Sequence, residues 1–243
     1  MSTPRRAMLV VGAGDATGGA IARRFAAEGY VACVARRSAA RLEPLVAQIE
    51  ADGGQARAFG CDAREEDQVV AMVDTIENEV GPLEVAVFNI GGNVHFGITE
   101  TTARVYHKVW LMSAFAGFLT GREAARVMRE RERGTIIFTG ATASIRGGAG
   151  FSAFSGAKFA LRSLAQSMAR ELGPQGIHVA HTIIDGAIDT DFIRENFPQR
   201  YALKNKAGIL DPRHIADAYW QLHCQPRDAW THELDLRPWM ETF

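Results

Sequence analysis

Four glycines in Gly12-Ala13-Gly14-Asp15-Ala16-Thr17-Gly18-Gly19 separate a short apolar run from a helical pattern. A helix begins with backbone N–H groups that have no partner within it, and glycines let an anion come close to that backbone. Such a turn can cradle a diphosphate, with Gly12, Gly14, Asp15, Thr17 and Gly18 as its binding residues. A plain structural turn is the alternative, and the strand–turn–helix context argues against it. The next apolar run ends in Ala35-Arg36-Arg37. An acid there would accept hydrogen bonds from the ribose 2′-hydroxyl of NAD, whereas arginine suits the 2′-phosphate of NADP. NADP(H) is therefore favoured, with NAD(H) as the alternative, because Asp15 could face the same pocket and repel a phosphate. The two arginines could also be solvated groups at a helix entry.

Groups able to move a proton stand after later strands. Thr142 and Ser144 follow the fifth, Asp185 the sixth and His95 the fourth, at the carboxyl ends where parallel sheets bind ligands. Each has a plainer use: the hydroxyls as loop caps, Asp185 as an acceptor of backbone N–H groups, His95 as a surface residue. His178 and His181 alternate along a strand and read as packing or edge residues, and no metal site is expected.

These groups must be positioned by alternating strands and helices. Apolar runs at 7–12, 30–35, 55–61 and 83–89 predict four strands, and helical spacing predicts helices over 17–28, 38–51 and 65–80. The second half predicts a long helix over 99–131, a strand at 135–139, a helix over 152–172 and a strand at 177–184. A loop-and-helix region then runs to about 224, and a short last strand lies at 233–236. Repeated strand–helix units predict a three-layer, doubly wound parallel sheet of Rossmann type in one domain over 1–243. Trp220, Trp230, Trp239 and Phe243 could form a substrate wall, an oligomer contact or core.

Of 243 residues, 47% are hydrophobic and 23% charged, enough apolar material for a full core. The net charge of -1 gives no overall attraction to nucleic acid or an anionic membrane. Cys33, Cys61 and Cys224 are an odd set without CxxC spacing, which points to a reducing compartment rather than a disulfide framework. No apolar stretch approaches the roughly 18 residues of a membrane span, so a cytoplasmic location is expected.

Read together, these features resemble the short-chain dehydrogenase/reductase family over nearly the whole chain. Gly12-xxx-Ala16-x-Gly18 is similar to its TGxxxGxG turn, with Val11 for the Thr and Ala16 for the middle Gly. Asp62-Ala63 resembles the pair that holds adenine. Asn89-Ile90-Gly91 resembles the end of the NNAG motif, with Phe88 for its first Asn. Lys158 matches the lysine of YxxxK, which implies a grip on the nicotinamide ribose. The run from Asp185 through Gly186, Ala187, Ile188 and Asp189 to Thr190 resembles the PGxxxT segment near the carboxamide, with Asp185 for Pro. The tail Leu234-Asp235-Leu236-Arg237-Pro238-Trp239 departs from the family's VDGG ending.

The resemblance also marks substitutions. The tyrosine position is Phe154, the serine position Ala141, and the asparagine position Ser113; the tyrosine position of the divergent enoyl reductases is Phe151. Hydride addition to a carbonyl leaves an alkoxide that needs a proton, and phenylalanine has none to give. Losing a positioned acid costs about 10²–10⁴ in rate. Lys158, Thr142, Ser144 and Asp185 are the candidate catalytic residues that remain. The first expectation is an NADP(H)-linked oxidoreductase of a small carbonyl or alcohol with an unusual proton donor. The second is a non-catalytic NADP(H)-binding sensor or scaffold, and the third a structural protein without nucleotide. The family also implies a homodimer or homotetramer built on the helices over 99–131 and 152–172.

Overall fold

The computed structural model describes residues 5–242. Phe243, one of the tail aromatics named above, lies outside them.

The first half comprises β1 (Arg6–Val11), α1 (Thr17–Ala27), β2 (Tyr30–Arg36), α2 (Glu43–Ala51), β3 (Gln55–Gly60), α3 (Glu66–Thr75) and β4 (Leu83–Phe88). The second half adds α4 (Ala103–Trp110), α5 (Ala116–Arg129), β5 (Gly134–Thr139), α6 (Ser152–Leu172) and β6 (Ile177–Ile184). It closes with α7 (Asp191–Asn196), α8 (Pro198–Tyr201), α9 (Pro212–His223) and β7 (Glu233–Leu236). All strands pair in parallel in the order β3-β2-β1-β4-β5-β6-β7. The order reverses between β1 and β4, which opens a crevice at their carboxyl ends.

Both faces of the sheet are covered, and the strand sequences show why. Along β1, Ala7, Leu9 and Val11 enter one apolar cluster while Met8 and Val10 enter another. A strand with no solvated face has to be apolar at every position. The first cluster takes Val69 and Met72 of α3, Leu119 of α5 and Leu161 of α6; the second takes Phe25 of α1, Ile49 of α2 and Tyr219 of α9. Each such side chain contributes roughly 1.5–3 kcal/mol by leaving water. Among the described residues no helix is long and apolar enough to cross a membrane.

Two predicted helices are shorter or less regular than their spacing suggests. The helix expected over 99–131 starts only at Ala103, because the Thr102 hydroxyl accepts the Val105 N–H at 3.2 Å and caps it. A π-helical turn, Leu111–Phe115, then separates α4 from α5. The helix expected over 65–80 likewise ends in a π-helical turn, Ile76–Val80. A π-helical turn inserts one residue without changing composition, so a run of helix-forming residues does not reveal it.

Candidate functional site

The glycine turn sits at the mouth of the crevice. Gly12 has φ +91°, and a Cβ there would lie 2.9 Å from the Asn89 carbonyl carbon and oxygen. No side chain fits. The Asn89 side-chain amide donates to the Gly12 carbonyl at 3.1 Å, and the Asn89 backbone N–H donates to Val11 at 2.8 Å. The loop after β4 thereby fixes the turn after β1. Ala16 precedes α1 and offers no side-chain cap, so the first N–H groups of that helix stay available to an anion. Thr17 and Gly18 are buried in its first turn, nothing stands within 4 Å of a Cβ built on Gly14, and Asp15 is exposed.

At the β2–β3 end, Arg36 is half-buried and Arg37 exposed. Asp62 follows β3 beside the buried Ala63, and Arg64 clasps both its oxygens, Nε to Oδ1 at 2.8 Å and Nη2 to Oδ2 at 2.5 Å. That hydrogen-bonded guanidinium holds the Asp62 carboxyl below its usual range. Arg64 escaped the sequence reading, although an arginine two residues after an aspartate was its available signal.

At the β4–β6 end, Lys158 is buried on α6, 3% exposed. Its ammonium donates to the Thr139 carbonyl at 2.8 Å and the Ile90 carbonyl at 3.2 Å, bridging the ends of β5 and β4. Burial lowers its pKa to about 8. Phe154, one turn earlier, is also buried, its ring centroid 6.0 Å from Nζ.

The other proton candidates separate. The Thr142 hydroxyl donates to Oδ1 of Asp185, which is 1% exposed, and the Arg237 guanidinium lies 3.7 Å from Oδ2. Ser144 does not reach the crevice: it is fully buried, and its hydroxyl accepts the Ala141 N–H at 3.1 Å to close the turn that carries Thr142. His95 is exposed and packs edge-to-face on Phe151 at 4.8 Å. Ser113 lies buried in the π-helical turn. Gly186 has φ +146°, Ile188 bridges to Leu210, and the Thr190 hydroxyl caps α7 by accepting the Ile193 N–H at 3.2 Å. Gly91 is exposed beside Ile90.

A network that the sequence reading passed over lies behind Lys158. His181 on β6 bonds Glu233 of β7 at 3.1 Å, and Arg162 of α6 holds both oxygens of Glu233, at 2.7 and 2.6 Å. Burial drives the His181 pKa down to about 4. The tail aromatics divide as well. Trp220 packs on Phe25 at 5.2 Å and Trp230 stacks on His178 at 4.9 Å, so both are packing residues. Trp239 stands 76% exposed with its indole N–H on the Lys206 carbonyl at 3.0 Å.

An uncapped helix start over a turn that admits no Cβ, a carboxylate past β3 and an ammonium across β4 and β5 stand at the carboxyl ends of the strands, where parallel sheets bind ligands. The fold and site thus define a Rossmann-type dinucleotide-binding protein. The family pattern described as short chain dehydrogenase matches residues 6–201. A short-chain dehydrogenase/reductase of Armillaria gallica is 32% identical over 177 residues, covering 72% of this chain and 68% of its own. The short-chain reductase protein NovJ of Streptomyces niveus is 32% identical over 187 residues, covering 77% and 71%. The crystal structure of a short-chain dehydrogenase from Rhodopseudomonas palustris is 49% identical with a TM-score of 0.83, covering 96% of this chain and 99% of that one. The chain belongs to the short-chain dehydrogenase family of NAD(P)-dependent oxidoreductases.

Proposed function

We propose that this protein is an NADP(H)-linked oxidoreductase of a small, partly apolar carbonyl or alcohol, working without a tyrosine acid. The observation that carries the reading is Lys158, whose ammonium is pinned between the Ile90 and Thr139 carbonyls where the crevice ends. The glycine turn, with Gly12, Gly14, Thr17 and Gly18, would hold the diphosphate on the N-terminus of α1. Asp62 and Ala63 would hold the adenine, Asn89 to Gly91 the middle of the cofactor, and Gly186, Ile188 and Thr190 the carboxamide. Bound there, the reduced dinucleotide supplies a hydride.

The choice of NADP(H) rests on Arg36 and Arg37 at the end of β2, which suit a 2′-phosphate. A metagenomic short-chain oxidoreductase of the same fold, 23% identical with a TM-score of 0.79, was crystallised in complex with NADP. Phe154 and Ala141 stand where the family places its tyrosine and serine, so the polar groups left at the far end are Lys158, Thr142 and Asp185. Ser144 serves them by holding their turn.

The test is a panel of aldehydes, ketones and alcohols assayed with NADPH and NADP, beside calorimetry of NADPH alone. Turnover supports an enzyme. Binding without turnover would establish the second reading, a nucleotide-binding sensor or scaffold, which the buried phenyl ring of Phe154 beside Lys158 favours.

We also propose a cytoplasmic homodimer or homotetramer. Trp110 of α4, Phe115 of the π-helical turn and Phe118 of α5 stack in a row, with centroids 6.2 and 6.3 Å apart, and Trp110, Phe118 and Phe159 stand exposed. Exposed aromatic rows of this kind suit an interface. Sedimentation of the wild type and of Trp110→Glu would test it, with a monomeric variant expected.

A further inference from the structure

We infer that the tail after β7, residues 237–241, positions the segment that holds the nicotinamide end of the cofactor, with Trp239 and Glu241 as the positioning residues. This rests on the reading above, in which Gly186, Ile188 and Thr190 meet the carboxamide. The tail is also the stretch whose sequence departs from the family's usual ending.

The chain leaves the sheet after β6, runs through α7 and α8, and returns to the start of α9. No residue from 186 to 207 is buried. A segment with no core of its own opens at little cost, so contacts from outside must set its place. At its root, the Leu210 N–H donates to the Ala187 carbonyl and the Asp189 N–H to the Leu210 carbonyl, both at 2.8 Å.

The tail supplies the remaining contacts at the start, middle and end of the segment. At the start, a Cβ built on Gly186 would lie 2.7 Å from Cδ of Pro238 and 3.4 Å from Oε2 of Glu241. In the middle, Nη2 of Arg200 donates to both Glu241 oxygens at 3.2 Å. At the end, the Trp239 indole N–H reaches the Lys206 carbonyl at 3.0 Å, and Sδ of Met240 stands 3.1 Å from a Cβ built on Gly208. Glu241 thus touches the segment near both the carboxamide residues and α8, and its side chain is only 15% exposed.

The tail is itself fixed to the sheet. It follows β7 directly, and the Glu241 N–H donates to the Pro238 carbonyl at 3.0 Å to close a turn. Arg237 donates from Nε to Asp235 at 3.2 Å and lies 3.7 Å from the buried Asp185 at the end of β6. A segment held in place beforehand loses less freedom when a ligand orders it, so the tail raises affinity for the nicotinamide end without touching the cofactor.

The test uses the full chain with trypsin, NADPH and adenosine 2′,5′-bisphosphate, which carries the adenosine end alone. Arg194, Arg200, Lys204 and Lys206 are exposed cleavage sites within the segment. A hydrogen bond is worth about two- to tenfold in an equilibrium, so Trp239→Ala with Glu241→Gln should speed cleavage there on the order of tenfold. NADPH should bind about tenfold more weakly by calorimetry, and the bisphosphate within about twofold of wild type. Glu241→Gln alone, isosteric and near the surface, should show about threefold changes should the double variant not fold. Adding Arg200→Glu to Glu241→Arg should restore protection that Glu241→Arg loses, which a merely structural tail would not do. Unchanged cleavage, or equal losses for NADPH and the bisphosphate, would overturn the inference alone. A wild type that binds neither nucleotide would overturn the cofactor reading, and the trypsin rates would then decide whether the tail holds the segment.

Discussion

The side-chain amide of Asn89 donates to the carbonyl of Gly12 at 3.1 Å, across the point where the strand order reverses. Residues 77 positions apart thus set one turn, and the crevice has a rigid lip.

That contact makes Gly12→Ala doubly unfavourable, since the new methyl would meet the Asn89 carbonyl at 2.9 Å on a backbone with φ +91°. We expect a loss of about 1–3 kcal/mol in stability, read from urea melts. NADPH affinity should fall at least about tenfold by calorimetry, because the turn must shift to admit the methyl.

Introducing hydroxyls at positions 154 and 141 offers a gain-of-function test of the proposed reading. Phe154→Tyr with Ala141→Ser would place a phenol one turn from Lys158 and a hydroxyl beside Thr142. Reduction of an accepted aldehyde should rise on the order of 10²-fold, with NADPH binding unchanged. Steady-state kinetics of the double variant against wild type gives the answer.

Replacing both Arg36 and Arg37 by alanine should weaken NADPH by about tenfold or more and leave NADH nearly untouched, each charged hydrogen bond being worth about 1.5–3 kcal/mol. The wild-type preference for NADPH should also shrink as salt is added. Equal losses for both cofactors would place the arginines away from the 2′-phosphate.

Acid should destabilise the fold through its buried histidines. His181 and His223 both titrate near 4 in the folded protein because burial disfavours their charged forms. Unfolded histidine titrates near 6.5, so below that pH the unfolded chain binds more protons. Stability from these residues is complete above about 6.5 and is lost as pH falls toward 4, by about 3 kcal/mol for His181. Melting temperatures between pH 7 and pH 4 should drop, and His181→Gln should flatten part of that slope.

The parts of the fold legible in the sequence were those written in local periodicity. Strands 177–184 and 233–236 and the helix over 152–172 match β6, β7 and α6 residue for residue. The breaks in 99–131 were not legible, because a π-helical turn shifts register without changing composition. At the site, the glycine turn announced itself by residue type. Arg64 on Asp62, Arg237 near Asp185 and the His181–Glu233–Arg162 network did not, since charged residues read alike until partners are known.

The chain alone determined a seven-stranded wound sheet, a glycine turn at the end of its first strand and the supply of polar groups after the later strands, because local sequence sets backbone conformation and the choice of functional groups. Only the tertiary structure decided what those groups do. Folding turned the Ser144 hydroxyl inward, aimed Thr142 at Asp185, and closed the Thr139 and Ile90 carbonyls on Lys158. Hydrogen-bond partners distant in sequence are chosen by packing, and burial among them sets which groups can part with a proton.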